Sequence, residues 1–116
     1  MGSRRVEKVN VLIQREISDI LLRRVKDPRI GFVSVTGVKI SKDYDVATVY
    51  FSILGDAAER ETSWKGLEKA RSFIRSELGR RIRLRKTPDL IFRLDDSIER
   101  GARIDDTLRS LDTTGE

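Results

Sequence analysis

The sequence contains neither cysteine nor histidine among its 116 residues. Without cysteine there are no disulfides and no thiolate metal ligands, which suits a protein of a reducing cytoplasm. Without histidine the chain lacks the side chain best suited to proton transfer near neutral pH and the commonest nitrogen ligand of metals. Most catalytic sites are therefore excluded, and we expect a protein that is not an enzyme, needs no cofactor or metal and has no small-molecule substrate.

Long apolar runs are also missing. No stretch of 18 or more apolar residues occurs, and the first residues do not form a signal peptide. We therefore expect a cytoplasmic protein without membrane contacts. The length suits one domain, which we place at residues 1–111, followed by a flexible tail at residues 112–116.

Charge is abundant and unevenly distributed. The formal net charge is +5 and the pI is about 9.9. Residues 1–94 carry 21 basic and 12 acidic side chains, whereas residues 95–116 carry 3 basic and 7 acidic ones. The basic part of the chain favours a polyanionic partner.

The first half of the chain predicts a helix and a hairpin. Apolar residues recur at spacings of three and four over Arg4–Lys26, which indicates an amphipathic helix that ends at Asp27-Pro28. Two segments rich in β-branched residues follow, Phe32–Ile40 and Val46–Leu54, and a short polar loop joins them. The apolar alternation changes phase in the first of them, which predicts a β-bulge at Gly37.

The second half predicts a helix, a strand and a helix. Asp56 is a suitable N-cap, and a helical stripe runs from Trp64 to Ile82 before Thr87-Pro88 ends it. Alternating apolar residues over Leu90–Leu94 indicate a third strand, and Ile98–Leu111 indicates a last helix. This order predicts an α+β fold with helices packed on one face of the sheet.

Positive charge is densest at Arg71–Lys86, where Glu77 is the only acid. Arginine suits phosphate because its planar fork can donate two hydrogen bonds at once. A solvated charged face and a grip on an RNA backbone explain this stretch about equally well. Arg4, Arg5 and Lys8 raise the same question, because positive charge at the start of a helix opposes the helix dipole.

Other residues with possible chemistry have simpler explanations. Turn and cap formation explains the carboxylates Asp43, Asp45, Asp95 and Asp96 better than a magnesium site does. Trp64 and Phe73 can stack on bases, but their place at or beside the helical stripe predicts core packing instead.

Several segments are similar to one protein family. They are Lys26-Asp27-Pro28-Arg29-Ile30-Gly31, Ala47-Thr48-Val49-Tyr50, Phe73-Ile74-Arg75-Ser76-Glu77-Leu78-Gly79, Arg83-Leu84-Arg85, Thr87-Pro88-Asp89-Leu90 and Asp95-Asp96-Ser97-Ile98. Through these motifs the chain resembles, from about Arg4 to Leu111, the ribosome-binding factor A family of bacterial small-subunit assembly proteins.

The resemblance implies a fold and a function. The fold is a type-II KH-like domain of order α-β-β-α-α-β with a C-terminal helix and a three-stranded sheet. The implied function is binding to the free 30S subunit during late maturation of 16S rRNA, with a role in cold adaptation, and we expect a monomer. The family's long helix is kinked at an Ala-x-Gly motif, which corresponds here to Ala70-Arg71-Ser72. Ser72 replaces the glycine, and its hydroxyl can bend a helix by bonding to a carbonyl one turn earlier.

These observations together define the residues that we expect to bind RNA. They are Arg4, Arg5, Lys8, Ala70, Arg71, Ser72, Arg75, Arg80, Arg81, Arg83, Arg85 and Lys86. Two alternatives stay open: a protein-interaction module that docks through its sheet edge or last helix, and a metal-dependent enzyme that uses the four aspartates.

Overall fold

The computed structural model describes residues 4–95. Its elements are α1 (Arg4–Arg23), β1 (Val33–Ile40), β2 (Val46–Ile53), α2 (Ala57–Arg81) and β3 (Asp89–Leu94). This order confirms the α+β class. The last helix and the tail predicted from the sequence lie outside the described residues. Within residues 4–95, neither helix combines the length and apolar character needed to cross a lipid bilayer.

The three strands form one mixed sheet in the order β1-β2-β3. β1 and β2 form the antiparallel hairpin, whereas β3 pairs with β2 in parallel because α2 carries the chain back between them. In the hairpin Val35 lies opposite Phe51 and Gly37 opposite Tyr50, so Thr36 is the extra residue of a bulge. The bulge next to Gly37 and the phase change of the apolar residues are confirmed. Both the order and the parallel pair agree with a type-II KH-like domain.

Both helices pack on the same face of the sheet. Ile13, Ile17 and Ile20 of α1 and the buried leucines and isoleucine of α2 form one cluster with the inward side chains of all three strands. Its centre holds Phe51 and Phe92, whose rings meet edge to face with centroids 4.8 Å apart. The opposite face of the sheet has no described element over it.

The helix α2 begins at a capping box. The Asp56 carboxylate accepts from the amide of Glu59, and the Glu59 side chain accepts from the amide of Asp56, at 2.8 Å each. The helix then continues without interruption through Ala70-Arg71-Ser72. Among the described residues, Thr62 makes a hydroxyl bond to a carbonyl one turn earlier, at 2.9 Å, whereas Ser72 is exposed and makes none. The bend in the helix axis at this point stays a prediction.

Two apolar residues are less buried than their patterns predict. Phe73 is 41% exposed, because the neighbouring Ile74 occupies the core-facing position of this turn of α2. Leu94 is 51% exposed, because it lies at the end of an edge strand, beyond Leu90 and Phe92, which are buried. The expected core packing is thus wrong for Phe73, while Trp64 does pack against the core.

The loop between α1 and β1 lies against the first half of α2. The buried Ser63 hydroxyl accepts from the amide of Gly31 at 3.1 Å and donates to the carbonyl of Arg29 at 3.2 Å. Gly66 faces the same loop, and a Cβ there would lie only 2.8 Å from Cγ1 of Ile30. Hydrogen bonds from Arg29 lower the pKa of Asp27 to about 2. The Lys26–Gly31 motif therefore has a structural role, which is to fix this loop on α2.

Candidate nucleic-acid interface

Arg71 and Arg75 lie along the free edge of β3. Arg71 donates to the carbonyl of Leu90 at 3.2 Å, and Arg75 donates to the carbonyls of Pro88 and Thr87 at 3.0 and 2.7 Å. Their side chains stay 47% and 44% exposed. Both guanidinium groups are thus held in place by the fold while keeping part of their surface open to a phosphate.

Arg81 connects the two helices. Its Nη1 donates to Asp19 at 2.7 Å and to Glu16 at 3.2 Å, and both carboxylates belong to α1. The bond from Arg81, followed by that from Arg23, lowers the pKa of Asp19 below its ordinary value. Because the Arg81 side chain is only 24% exposed, it is the least accessible of the arginines predicted to bind RNA.

Arg80 differs from Arg81 in its exposure. Its side chain is 72% exposed and pairs with Glu77 of the same helix at 3.2 Å. The Glu77 carboxylate is buried, at 9% exposure, and Arg24 of the residues after α1 lies 3.6 Å from it as well. Arg80 therefore neutralises a buried carboxylate on one side, while the exposed part of its guanidinium group is open to a phosphate.

Residues 82–88, which connect α2 to β3, present arginines outward. Ile82 and Pro88 are buried and Leu84 packs against the core, so Arg83 and Arg85 point to solvent. Neither arginine has a hydrogen bond or ion pair with any residue in the range 4–95. Gly79 allows this close return of the chain, since a Cβ there would meet the Thr87 hydroxyl.

The start of α1 carries a second set of cations without described partners. Arg4, Arg5 and Lys8 are exposed and form no ion pair within residues 4–95. The amide of Ile40 donates to the Asn10 side chain at 2.8 Å, which places this half of α1 at the hairpin end of β1. The packing of α1 thus fixes the position of these residues, and their charged groups form no ion pair within residues 4–95.

Residues 82–88 and the start of α1 lie at the same end of the sheet. Lys86 pairs with Asp45 of the hairpin loop at 2.8 Å, and the amide of Asp89 donates to the Asp45 carbonyl at 2.9 Å. This bond to Asp45 raises the pKa of Lys86. We call this surface the hairpin end; it comprises the first half of α1, the loop 41–45 and residues 82–88. Two basic segments that are distant in sequence therefore share one end of the molecule.

The hairpin loop adds a cation that the sequence did not single out. Lys42 is exposed at the loop and has no partner among residues 4–95. The neighbouring Asp43 carboxylate accepts from the Ser41 hydroxyl at 2.7 Å and from the amide of Asp45 at 3.0 Å. These bonds, led by that from Ser41, lower the pKa of Asp43. Asp43 thus forms the turn, as the sequence predicts.

The other aspartates that the sequence offers as metal ligands do not form a metal site within residues 4–95. Asp95 accepts a hydrogen bond from the Thr36 hydroxyl at the bulge, and Asp96 lies outside the described residues. Within residues 4–95 no group of three or more potential ligand residues is close enough together to hold a metal ion.

Comparison with known proteins decides the family. A family model described as ribosome-binding factor A matches residues 5–108. The chain belongs to the ribosome-binding factor A family. The match includes all of the described range except Arg4, and so contains both basic segments of the hairpin end apart from that residue.

Solved structures of ribosome-binding factor A agree with this fold. The crystal structure of the Thermus thermophilus protein is 26% identical, covers 77% of this chain and 94% of its own, and has a TM-score of 0.67. The solution structure of a putative ribosome binding factor A from Thermotoga maritima is 32% identical, with coverages of 85% and 94% and a TM-score of 0.72. A homology model of the Thermus thermophilus factor, fitted into a cryo-EM map of a 30S complex, is 26% identical, with coverages of 75% and 91% and a TM-score of 0.63.

Proposed function

We propose that this protein is an assembly factor that binds the free 30S ribosomal subunit through its hairpin end. The observation that carries the proposal is that cations from two distant segments, Arg4, Arg5 and Lys8 with Arg83 and Arg85, lie at one end of the fold and have no partner within residues 4–95. Membership of the ribosome-binding factor A family supports it. So does the complex of the related Thermus thermophilus factor with 30S.

The chemistry of the hairpin end suits a phosphate backbone. Its arginines are held by elements anchored in the core, while their guanidinium groups keep their donors free of the carboxylates of residues 4–95. Contacts of this kind position a protein on RNA without reading the base sequence. Shape then supplies the selectivity, and the ordered edge of β3 with Arg71 and Arg75 provides a second place for backbone contact.

The finer role is proposed by analogy with the family. We propose that the bound protein assists late maturation of 16S rRNA, and that the need for it rises in the cold. It acts in the cytoplasm as a monomer, without catalysing a reaction and without a cofactor, and residues 1–111 form its single domain.

Sedimentation with purified ribosomal particles tests the proposal. We expect the protein to move with isolated 30S subunits and not with intact 70S ribosomes, and to leave the 30S fraction after ribonuclease digestion. A strain without the protein should accumulate precursor 16S rRNA, more strongly at low temperature. Equal binding to 70S, or association that survives complete RNA digestion, would contradict RNA-dependent binding to the free subunit and favour docking to a protein.

A further inference from the structure

The face of the sheet opposite the helices forms a second surface that the described fold leaves uncovered. Side chains alternate along each strand, so the residues between the core-facing ones point to this surface. The strand register aligns them in rows across the sheet. We call this surface the open face; its residues are Ser34, Gly37 and Lys39 of β1, Val46, Thr48, Tyr50 and Ser52 of β2, and Asp89, Ile91 and Arg93 of β3.

The middle row of the open face contains a notch. Gly37, Tyr50 and Arg93 lie side by side, and no heavy atom lies within 4 Å of the position that a Cβ of Gly37 would take. The backbone of Gly37 does not have a positive φ, so neither conformation nor close packing requires glycine there. A glycine inside a strand often marks a bulge or a place where a ligand approaches the backbone. Here the bulge is at the adjacent Thr36, and the space above Gly37, opposite Tyr50 in the register, is open.

Two cations flank this notch. Lys39 and Arg93 are both exposed and have no ion pair with another residue of the range 4–95. Two acids at the ends of β3 have partners in the fold: Asp89 pairs with Arg75 at 3.4 Å, and Asp95 accepts from Thr36. Lys39 and Arg93 thus keep their charges without a partner in the range 4–95, and the rows on either side of Tyr50 carry the hydroxyl side chains of Thr48 and Ser52.

We propose that the open face binds single-stranded RNA, with a base stacked on Tyr50 in the notch over Gly37 and the adjacent phosphates held by Lys39 and Arg93. Aromatic rings on a sheet flanked by basic side chains bind unpaired bases in this way, and stacking tolerates any base. The proposal deepens the proposed function, on which it rests, by giving the protein a contact for an unpaired RNA segment beside the backbone contact of the hairpin end.

The composition of the face favours RNA over a protein partner. Within residues 4–95 the aliphatic side chains of this face are Ile91, at 38% exposure, and the half-buried Val46. Hydroxyl groups, the two cations and the exposed Asp89 occupy most of the remainder. Protein interfaces instead have an apolar, desolvated centre that is depleted of charge. A surface with two cations that have no partner within residues 4–95, and with a half-buried tyrosine between them, matches a nucleic-acid strand better.

Titration of the ¹⁵N-labelled protein with single-stranded pentauridine tests the proposal. We expect the amide signals of Gly37, Tyr50 and Arg93 to shift. A blunt RNA duplex, which has no unpaired base, should not shift these three signals. Tyr50→Phe should bind like the wild type because the ring is kept. Tyr50→Thr removes the ring and should bind about tenfold more weakly. Gly37→Val fills the notch, and it should lose affinity to a similar degree while its melting temperature stays equal or rises.

A hairpin-end variant separates this proposal from the proposed function. The double change Arg83→Gln and Arg85→Gln should weaken binding to 30S subunits and leave the pentauridine shifts on the open face. Shifts confined to the hairpin end, an affinity of Tyr50→Thr equal to the wild type, or no pentauridine binding by a protein that binds 30S would overturn the open-face proposal alone. A protein that binds neither the oligonucleotide nor the subunit would overturn both.

Discussion

The triple variant Arg5→Gln, Arg83→Gln and Arg85→Gln should bind 30S subunits roughly tenfold to a hundredfold more weakly than the wild type at physiological salt. All three side chains are exposed at the hairpin end and have no partner within residues 4–95. Each is expected to neutralise a phosphate and to release counterions, so the loss should grow with each change. Fluorescence anisotropy of labelled protein titrated with 30S subunits measures the dissociation constants.

A matched variant at the opposite end of the sheet serves as control. Lys26, Lys65 and Lys69 are also exposed, and they lie around the loop that precedes β1. Their triple change to glutamine removes the same total charge and should alter the dissociation constant by less than about threefold. Equal losses in the two variants would mean that net charge, and not the hairpin end, determines binding. Unchanged melting temperatures would show that both variants fold.

Gly66→Val should destabilise the protein by about 2 kcal/mol or more. A Cβ at this position would lie 2.8 Å from Cγ1 of Ile30 and 3.5 Å from Cβ of Arg29, so the loop must move away from α2. This effect should exceed the gain of up to about 1 kcal/mol that the removal of a helical glycine brings. Chemical denaturation followed by circular dichroism gives the free energy of unfolding.

Two further variants show whether the loop contact is the cause. Gly37→Val makes the same change where a Cβ meets no atom within 4 Å, and it should not destabilise the protein. Ile30→Ala removes the atom that the introduced valine would meet, so it should destabilise the Gly66→Val protein less than it does the wild type. Additive losses, or an equal loss in Gly37→Val, would show that the close approach of α2 to the loop is not what requires glycine.

The elements were predictable from the sequence where their periodicity directly reflects burial. Ile13, Ile17 and Ile20 of α1 face the sheet at helical spacing, and the inward residues of β2 alternate along the whole strand. The cap at Asp56 was predictable because its partner lies three residues away. The pattern gave less guidance at the ends of elements: α1 ends at Arg23 rather than Lys26, and Phe32, at 79% exposure, precedes β1.

The sequence predicted which basic residues belong to the candidate site, but not how the fold arranges them. Arg81 finds its carboxylates more than 60 residues away on α1, a pairing that no local pattern contains. Arg75 is held by carbonyls that approach it only because the chain turns back before β3. For the same reason, the sequence could not separate these arginines from Arg83 and Arg85, which carry no such contacts within the described range.

The outward position of Tyr50 is also implied by the sequence. Since Val49 and Phe51 alternate inward, Tyr50 must face the other side of the sheet. The partners that make this position informative, Gly37 and Arg93, come from strands on either side and depend on the bulge and on the parallel register of β3. The sequence of one strand is thus enough to predict which residues face outward. The neighbours of such a residue on the other strands can be identified only once the fold is known.

The salt dependence of 30S binding tests the central claim, that the hairpin end binds RNA phosphates, most directly. The logarithm of the association constant should fall linearly and steeply with the logarithm of the salt concentration, with a slope of roughly −0.7 to −0.9 for each neutralised phosphate. The triple variant Arg5→Gln, Arg83→Gln and Arg85→Gln should show a slope shallower by about 2 to 3, and the lysine control should keep the wild-type slope. A wild-type affinity independent of salt, or the same slope in all three proteins, would contradict the account.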